Sequence, residues 1–173
     1  MRKILLLIMM LGATMMAWAQ TLSGSGTEAD PYLIQNDADW VTFAGLINDP
    51  ETNASYRKKC YKQTNDINVT TMVGMTSSTY FNGTYDGDGH TMNVSLTSTE
   101  DYCAPFRYIY YGGKFRRINV TGSITTSGSY AAGLIGYMYY NTNYISYCRS
   151  SVTINRWKMP GRLTFWHWTR QEP

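Results

Sequence analysis

The chain has 173 residues, and its 15 Lys and Arg residues nearly balance its 12 Asp and Glu residues. Because the basic residues form no long run, nucleic acids and acidic membranes are poor candidates as partners. The low charge, together with abundant Thr, Ser, Asn, Gly and Tyr, is typical of exported β-proteins rather than of helical enzymes.

The N-terminus has the layout of a secretory signal peptide. Arg2 and Lys3 begin the chain, residues 4–16 form an apolar run, and Ala17-Trp18-Ala19 forms a small-x-small cleavage site. The run is too short to span a membrane comfortably, and a buried N-terminal helix is the alternative. We predict a signal peptide over residues 1–19, cleavage after Ala19, and a secreted or cell-surface protein with no transmembrane segment in the mature chain. The remainder, residues 20–173, has the length of one domain.

Residues 20–59 are predicted to form an N-terminal cap that contains one amphipathic helix. The segment "DPYLIQ" favours a short strand after a turn, and Asn36 or Asp37 then supplies a helix N-cap. The stretch from Asn48 to Pro50 ends the helix. The apolar stripe follows the helical spacing i, i+3, i+4 and i+7 and consists of Trp40, Phe43, Ala44 and Ile47.

From Cys60 onward the sequence predicts short β-strands that are separated by Gly-rich or Asn-rich bends. In "HTMNVSLTS", Met92, Val94 and Leu96 alternate with polar residues, so they face one side of a strand. We predict that residues 60–155 form the β-strand body of the protein.

Asp86, Asp88 and His90 form the most conspicuous polar cluster of this body, and Gly87 and Gly89 separate them. A calcium-binding EF-hand loop needs Glu at the twelfth position from Asp86, where a threonine stands. The Gly-Gly-x-Gly-x-Asp pattern of calcium-binding solenoids is not repeated here. One His with two Asp is a conceivable zinc set, but a chain reversal accounts better for the glycines. We therefore predict no metal site and no cofactor.

The same stretch is interpreted as a corner between two strands. Glycine allows positive φ, and Asp side chains bond nearby backbone amides. Residues 83–85 and 91–96 are the predicted strands, and Gly87-Asp88-Gly89 is the predicted corner.

An internal repeat covers residues 104–154. In the first half of the unit, equivalent residues of the two copies are separated by one constant number of residues. In the second half the separation is one residue longer, because the second copy contains a single inserted residue. Each unit is predicted to hold two short apolar strands, and since one unit cannot bury its apolar face alone, stacked units must share one core. This pattern indicates a β-solenoid; a β-sandwich of repeated hairpins is the alternative. The matched pairs are Phe106 with Ile135, Tyr108 with Tyr137, Tyr110 with Tyr139, Tyr111 with Tyr140, Phe115 with Ile145, Ile118 with Cys148, and Ile124 with Ile154.

Three segments resemble, in the expected order, the exported bacterial repeat proteins of the GLUG-motif family. Gly133-Leu134-Ile135-Gly136 is similar to the family's Gly-Leu-hydrophobic-Gly motif. The segments "GSGTEADPYLIQNDADWVTFAGLIND" and "FNGTYDGDGHTM" resemble the opening of the same proteins. The resemblance implies a mostly β fold, a right-handed parallel β-helix (β-solenoid) with an N-terminal capping α-helix. It also implies an adhesin-like protein that is secreted or displayed at the cell surface.

The distribution of carboxylates argues against catalysis. Polysaccharide-degrading β-helix enzymes need two or three carboxylates on one face, but no acidic residue lies between Asp101 and Asn155. The chain also lacks HExxH, G-x-S-x-G and a Gly-rich phosphate loop. We predict a non-enzymatic protein without catalytic residues; a fragment of a polysaccharide-degrading β-helix enzyme is the alternative. The acids of the β-strand body are Asp66, Asp86, Asp88, Glu100 and Asp101.

Paired tyrosines recur at equivalent places of the repeat, so they should stack as a ladder along one edge. Exposed aromatic rings stack on sugars, and tyrosine hydroxyls form hydrogen bonds at recognition surfaces. The sequence therefore predicts a glycan-binding platform; simple packing of each ring on the next unit is the alternative. Surface glycans and other cell-surface proteins are the predicted partners of this adhesion or binding scaffold. The platform consists of Tyr110, Tyr111, Tyr139 and Tyr140.

Three cysteines, Cys60, Cys103 and Cys148, leave at least one thiol unpaired. They lie far apart along the chain, and their spacing fits no zinc-ligand pattern. The place of Cys148 in the repeat predicts a small buried hydrophobic residue, with a disulfide as the alternative.

The repeat is lost after Asn155, and residues 156–173 are an atypical tail rich in Trp and Arg. The abrupt loss of periodicity favours an out-of-register reading frame, and hence a truncated repeat protein or a non-functional remnant of a longer adhesin. A basic, aromatic tail that binds membranes or glycans is the alternative. A solenoid truncated here would expose strand edges and core, which predicts self-association through its open end.

Overall fold

A computed structural model describes residues 21–140 and 142–157 of the chain. These residues are mostly β, with twelve strands, two short helices and parallel sheets. The predicted signal peptide and the part of the predicted tail beyond Trp157 lie outside them. Within the described part of the chain, neither helix has the length and apolar character that a membrane crossing requires.

The first elements are strand β1 (Tyr32–Ile34) and helix α1 (Asp37–Asn48). The side chain of Asn36 accepts a hydrogen bond from the Asp39 N–H at 3.0 Å, which caps the helix as predicted. The predicted apolar stripe is the buried face of α1, because all four of its members are buried. The helix packs against β1 and against the third strand of the chain.

A second helix, α2 (Pro50–Tyr56), follows α1 directly and was not predicted from the sequence. Pro50 does end α1, but it also occupies the first turn of α2, where a missing N–H costs no helical hydrogen bond. The side chain of Asp49 caps α2 by accepting a hydrogen bond from the Glu51 N–H at 2.9 Å.

All remaining elements in the described residues are strands, and they begin at Cys60 as predicted. Every pairing between them is parallel. The strands are β2 (Cys60–Gln63), β3 (Ile67–Val69), β4 (Thr84–Asp86), β5 (Thr91–Ser98), β6 (Phe106–Tyr110), β7 (Lys114–Arg116), β8 (Asn119–Thr126), β9 (Ile135–Tyr139), β10 (Tyr144–Ser146), β11 (Arg149–Ser150) and β12 (Thr153–Arg156).

The strands form three sheets, which the chain visits in a fixed order. The first sheet has the order β1-β2-β4-β7-β10, the second has β3-β5-β8 followed by β11 and β12, and the third pairs β6 with β9. From β4 onward the chain passes from the first sheet to the second, then to the third, and then returns to the first. In the following, one pass through the first, second and third sheets is called a turn of the chain.

The strand register confirms the predicted repeat. Phe106 pairs with Ile135 and Tyr110 with Tyr139, as the alignment of the first half of the unit predicts. Phe115 pairs with Ile145, as the alignment of the second half predicts. The first unit contains three strands and the second contains four, so the prediction of two strands was wrong: the short strands β7 and β10 lie between the longer segments, and β11 and β12 both pair with β8. The parallel sheets and mostly β composition agree with the coarse fold prediction; the right-handed β-helix stays a prediction.

The core is one cluster of buried side chains rich in aromatic rings. Phe106 lies at its centre, with its ring centroid 4.8 Å from that of Phe115, 5.1 Å from that of Tyr85 and 5.4 Å from that of Trp40. Helix α1 therefore covers the core at the first turns of the chain. The Trp40 Nε1–H also donates a hydrogen bond to the Thr71 carbonyl at 2.9 Å, which ties the helix to the strands.

The local structure explains why the second residue pair of the Gly-Leu-Ile-Gly motif ends in glycine, at Gly136. A Cβ atom at Gly136 would lie 2.2 Å from the backbone carbonyl oxygen of Tyr102 on the preceding turn. Any larger residue would push the two turns apart, so the close approach of the chain at this point requires glycine.

Candidate functional site

The Asp86–His90 stretch is a corner between β4 and β5, as predicted. The Asp86 carboxylate accepts a hydrogen bond from the Asp88 N–H at 3.0 Å, which closes the expected Asx turn. Positive φ occurs at Asp88 (+49°) and Gly89 (+85°). Gly87 does not have positive φ, and glycine is needed there for a different reason: a Cβ would lie 2.5 Å from the Arg117 carbonyl oxygen.

Two arginines from the next turn of the chain neutralise Asp86. The Arg116 Nε–H donates to its carboxylate at 2.9 Å, and the Arg117 guanidinium donates to both carboxylate oxygens. Burial alone would raise the pKa of Asp86, but the hydrogen bonds from Arg117 and Asp88 and the charges of both arginines outweigh burial and hold this pKa below its usual value. Asp86 is therefore an ionised structural residue.

The other members of the polar cluster have separate partners. Asp88 forms ion pairs with Lys62 at 2.9 Å and with Arg117 at 3.0 Å. The Nδ1 atom of His90 lies 3.6 Å from the carboxylate of Asp66. Among the described residues no three His, Cys, Asp or Glu side chains are grouped so that they would hold a metal ion.

The remaining acids of the β-strand body also make structural contacts. Glu100 pairs with the nearly buried guanidinium of Arg107 at 3.1 Å. The Asp101 carboxylate accepts a hydrogen bond from the Ser129 N–H at 2.6 Å, across to the next turn of the chain. The Asp66 carboxylate accepts one from the Thr91 N–H at 2.8 Å. Each acid thus links one segment of the chain to another.

The four tyrosines of the predicted ladder lie together. The ring centroids of Tyr110 and Tyr139 are 5.1 Å apart, and those of Tyr111 and Tyr140 are 4.2 Å apart with an interplanar angle of 21°. These distances follow from the spacing of about 4.8 Å between neighbouring strands, because the pairs occupy equivalent positions on successive turns. Tyr111 and Tyr140 have positive φ, so each lies in the bend that follows its strand.

Five more tyrosines extend this ladder into a continuous aromatic surface, which we call the tyrosine face. Ring contacts of 6.5 Å or less join all of its members. Four members are exposed and five are half-buried. The tyrosine face consists of Tyr80, Tyr102, Tyr108, Tyr110, Tyr111, Tyr130, Tyr137, Tyr139 and Tyr140.

Three members of the tyrosine face lie outside the matched pairs of the repeat. Tyr80 and Tyr102 precede the repeat, and Tyr130 lies in a bend between two strands. A signal for them exists in the sequence, since Tyr80 precedes Tyr110, and Tyr102 precedes Tyr130, by close to the length of one repeat. The rings of Tyr102 and Tyr130 are stacked at 4.9 Å with an interplanar angle of 5°.

Three phenols of the tyrosine face have a pKa above the ordinary value for tyrosine. Burial, followed by the neighbouring tyrosines, raises the pKa of Tyr110 and of Tyr102. A hydrogen bond with Tyr140 raises the pKa of Tyr139. Neutral phenols can both donate and accept hydrogen bonds. These three phenols therefore add uncharged hydrogen-bonding groups to the aromatic surface of the face.

The three cysteines are free thiols. Cys103 is buried, whereas Cys60 and Cys148 are half-buried. Cys148, predicted to be a small buried hydrophobic residue, packs against the core but is only half-buried, because it lies in the last described turn and no described residue covers its far side. Burial still raises the pKa of the Cys148 thiol, which donates a hydrogen bond to the Ser146 carbonyl at 3.3 Å.

Comparisons of the chain with protein-family models, with curated proteins and with solved structures found no match.

Proposed function

We propose that the protein is an exported, non-catalytic binding scaffold that presents the tyrosine face to glycans at the cell surface or outside the cell. In this proposal the three parallel sheets are the faces of a right-handed parallel β-helix, and α1 is its N-terminal cap. The fixed order in which the chain visits the sheets supports the helical arrangement. The layout of residues 1–19 supports export.

The tyrosine face is the observation that carries the proposal. Nine tyrosines on neighbouring turns form one surface, and Tyr111, Tyr130, Tyr139 and Tyr140 are between 39% and 50% exposed. Because each ring partly covers its neighbour, we expect ring edges and hydroxyls to form much of the accessible surface. Such a surface suits sugars, which offer C–H groups for contact with the rings and hydroxyls for hydrogen bonds. A row of rings that spans several turns of the chain favours an extended chain of sugars over a small molecule.

The contacts of the acidic residues support the absence of catalysis in this proposal. Glycoside hydrolysis needs two carboxylates that face the substrate at a fixed separation. Asp86 is buried and paired with two arginines. Asp101 accepts a hydrogen bond from a backbone N–H, and Glu100 pairs with an arginine. We therefore propose a display and adhesion role without a reaction.

Replacement of four tyrosines tests this function. Tyr110→Ser and Tyr139→Ser remove two rings from strands, and Tyr111→Asn and Tyr140→Asn remove two from bends, where asparagine tolerates the positive φ. We expect the quadruple variant to lose glycan binding on an array of polysaccharides, while its circular dichroism spectrum stays that of the parent.

The control is the double variant Tyr144→Ser and Tyr147→Asn, since Tyr147 also has positive φ. These two tyrosines are 67% and 84% exposed and are not part of the tyrosine face. Glycan binding by the control should equal that of the parent. Undiminished binding by the folded quadruple variant would disprove the proposed role of the face.

A further inference from the structure

One end of the tyrosine face carries an arginine. The guanidinium carbon of Arg57 lies over the ring of Tyr80, 4.6 Å from its centroid. The Tyr80 ring lies 4.7 Å from that of Tyr110, which lies 5.1 Å from that of Tyr139. Arg57 is thus the first member of a row of planar groups in contact, with Tyr80, Tyr110 and Tyr139 tilted by 35–38° from one to the next, that runs across successive turns of the chain.

The backbone of Arg57 is held firmly. Arg57 is the C-cap of α2, and its N–H donates to the Asn53 carbonyl at 2.8 Å. Its own carbonyl accepts a hydrogen bond from the Asn82 N–H at 3.0 Å, and the Asn82 side chain donates to the Tyr111 carbonyl at 3.4 Å. The guanidinium is therefore positioned by the same segments that position the tyrosines.

The charge of Arg57 has no acidic partner in the described part of the chain. Arg107, Arg116 and Arg117 each pair with a carboxylate, whereas Arg57 forms no salt bridge there. Its Nη1 makes one long hydrogen bond of 3.4 Å to the Asn53 side chain. Its Nε is buried without a hydrogen-bond partner among the described residues, so the terminal Nη groups are the donors that a ligand would contact. An arginine with unused donors is an anion-binding group.

The surrounding sequence adds positive charge and little negative charge. Lys58 and Lys59 follow Arg57 directly, and Lys114 follows the bend that contains Tyr111. No acidic residue occurs between Asp101 and Asn155, the segment that supplies every tyrosine of the face except Tyr80. Beside Arg57, Tyr80 and Tyr110 a negatively charged ligand would therefore meet attraction, whereas the charge of Asp101 acts on Tyr102, a different member of the face.

We infer that the ligand of the tyrosine face is a carboxylated glycan, one of whose sugar carboxylates binds the Arg57 guanidinium while the next sugars lie on Tyr80 and Tyr110. The inference rests on the function proposed above and adds the charge of the ligand. A planar guanidinium binds a carboxylate through two parallel N–H···O bonds, a geometry that a lone ammonium group does not offer. Neutral tyrosine hydroxyls then bind the uncharged parts of the sugar chain.

A comparison of polygalacturonate oligosaccharides with their methyl esters tests the inference, because esterification removes the charge and keeps the sugar chain. We expect the parent protein to bind the acid form about tenfold more tightly than the ester, the size of one charge-assisted hydrogen-bonded contact. Arg57→Gln should abolish this preference, because it lowers the affinity for the acid form to that for the ester. Lys58→Gln is the control and should retain most of the preference.

A second variant distinguishes the loss of the guanidinium donors from a loss of structure at the end of α2. Arg57→Lys keeps a cation and an aliphatic stem over Tyr80 but removes the paired N–H donors, so the preference for the acid form should fall and become more sensitive to salt. Equal binding of acid and ester by the parent, or a preference that survives in folded Arg57→Gln, would overturn the inference and leave the proposed function standing. Binding of both forms that persists in the quadruple tyrosine variant would refute the proposed function instead.

Discussion

Asp86 shows how one residue at a corner holds two turns of the chain together. The sequence predicts the corner from its glycines and from the ability of Asp to bond backbone amides, and the Asx turn is present. The arginines that neutralise the carboxylate lie one repeat further along the chain and carry no sequence signal that connects them to it. Their approach depends on the register between β4 and β7, which pairs Asp86 with Arg116.

Asp86→Asn should destabilise the protein by about 2 kcal/mol, because the variant loses charge-assisted hydrogen bonds at a buried position. Urea unfolding followed by circular dichroism measures the change. Asp88→Asn is the control, and its loss should be smaller because the Asp88 side chain is 30% exposed against 6% for Asp86. Equal losses in the two variants would contradict the structural role assigned to Asp86.

The same ion pairs predict acid sensitivity. The pKa of Asp86 is lower in the folded protein than in the unfolded chain, so the folded state binds its proton more weakly. Its contribution to stability is therefore present above the unfolded-state pKa and is lost as the pH falls from about 4 through the folded-state value. The fall in melting temperature over this range should be shallower in Asp86→Asn than in the parent.

At the scale of single elements, the sequence predicted α1 but not α2. The stripe of α1 repeats at helical spacing, and burial against the core confirms it. Pro50 predicts the end of α1, but proline is equally acceptable in the first turn of a following helix. Very short strands are similarly hard to predict, and β7 and β10 have only three residues each.

Alanine substitutions at two glycines, one in a β-strand and one in a helix, should have opposite effects on stability. Gly122 lies in β8 with φ +99°, and a Cβ there would lie 2.1 Å from the Val94 carbonyl oxygen of the adjacent strand. Gly122→Ala should therefore cost about 3 kcal/mol or more.

Gly45→Ala is the matched control for Gly122→Ala. Gly45 lies in the exposed part of α1, and a Cβ there would meet no atom within 4 Å. Alanine should stabilise the helix by about 0.5–1 kcal/mol. Thermal unfolding of the two variants should move in opposite directions; a shared direction would be inconsistent with the described backbone.

At the scale of the whole molecule, the repeat places core residues in the last described turn that no other described residue covers. Ile145 and Ile154 occupy the positions of Phe115 and Ile124 in the preceding turn. Phe115 is 1% exposed and Ile124 is fully buried, whereas Ile145 is 50% exposed and Ile154 is 41% exposed. Strand β12 extends to Arg156, just past the predicted limit of the β-strand body.

We expect this surface to cause self-association of the chain, as the sequence also predicts. Ile145→Glu should weaken the association about tenfold, because it removes the contact area of one aliphatic side chain and adds a charge. Sedimentation of the full chain at several concentrations measures the effect. Val41→Glu on α1 is the control, since Val41 is also 50% exposed. An equal effect of the two substitutions would show that the last described turn has no special role.

The sequence by itself determined the features that repeat or that depend on neighbours along the chain. These are the stripe of α1, the start of the strands at Cys60, the corner at Gly87-Asp88-Gly89, and the repeat that stacks Tyr110 on Tyr139. Periodicity reveals them because each turn places equivalent residues above one another. The tertiary structure alone decided which unlike residues meet, namely Asp86 with its arginines, Arg57 with Tyr80, and Tyr102 with Tyr137. Those contacts depend on the register and bends of non-equivalent segments, which no local pattern encodes.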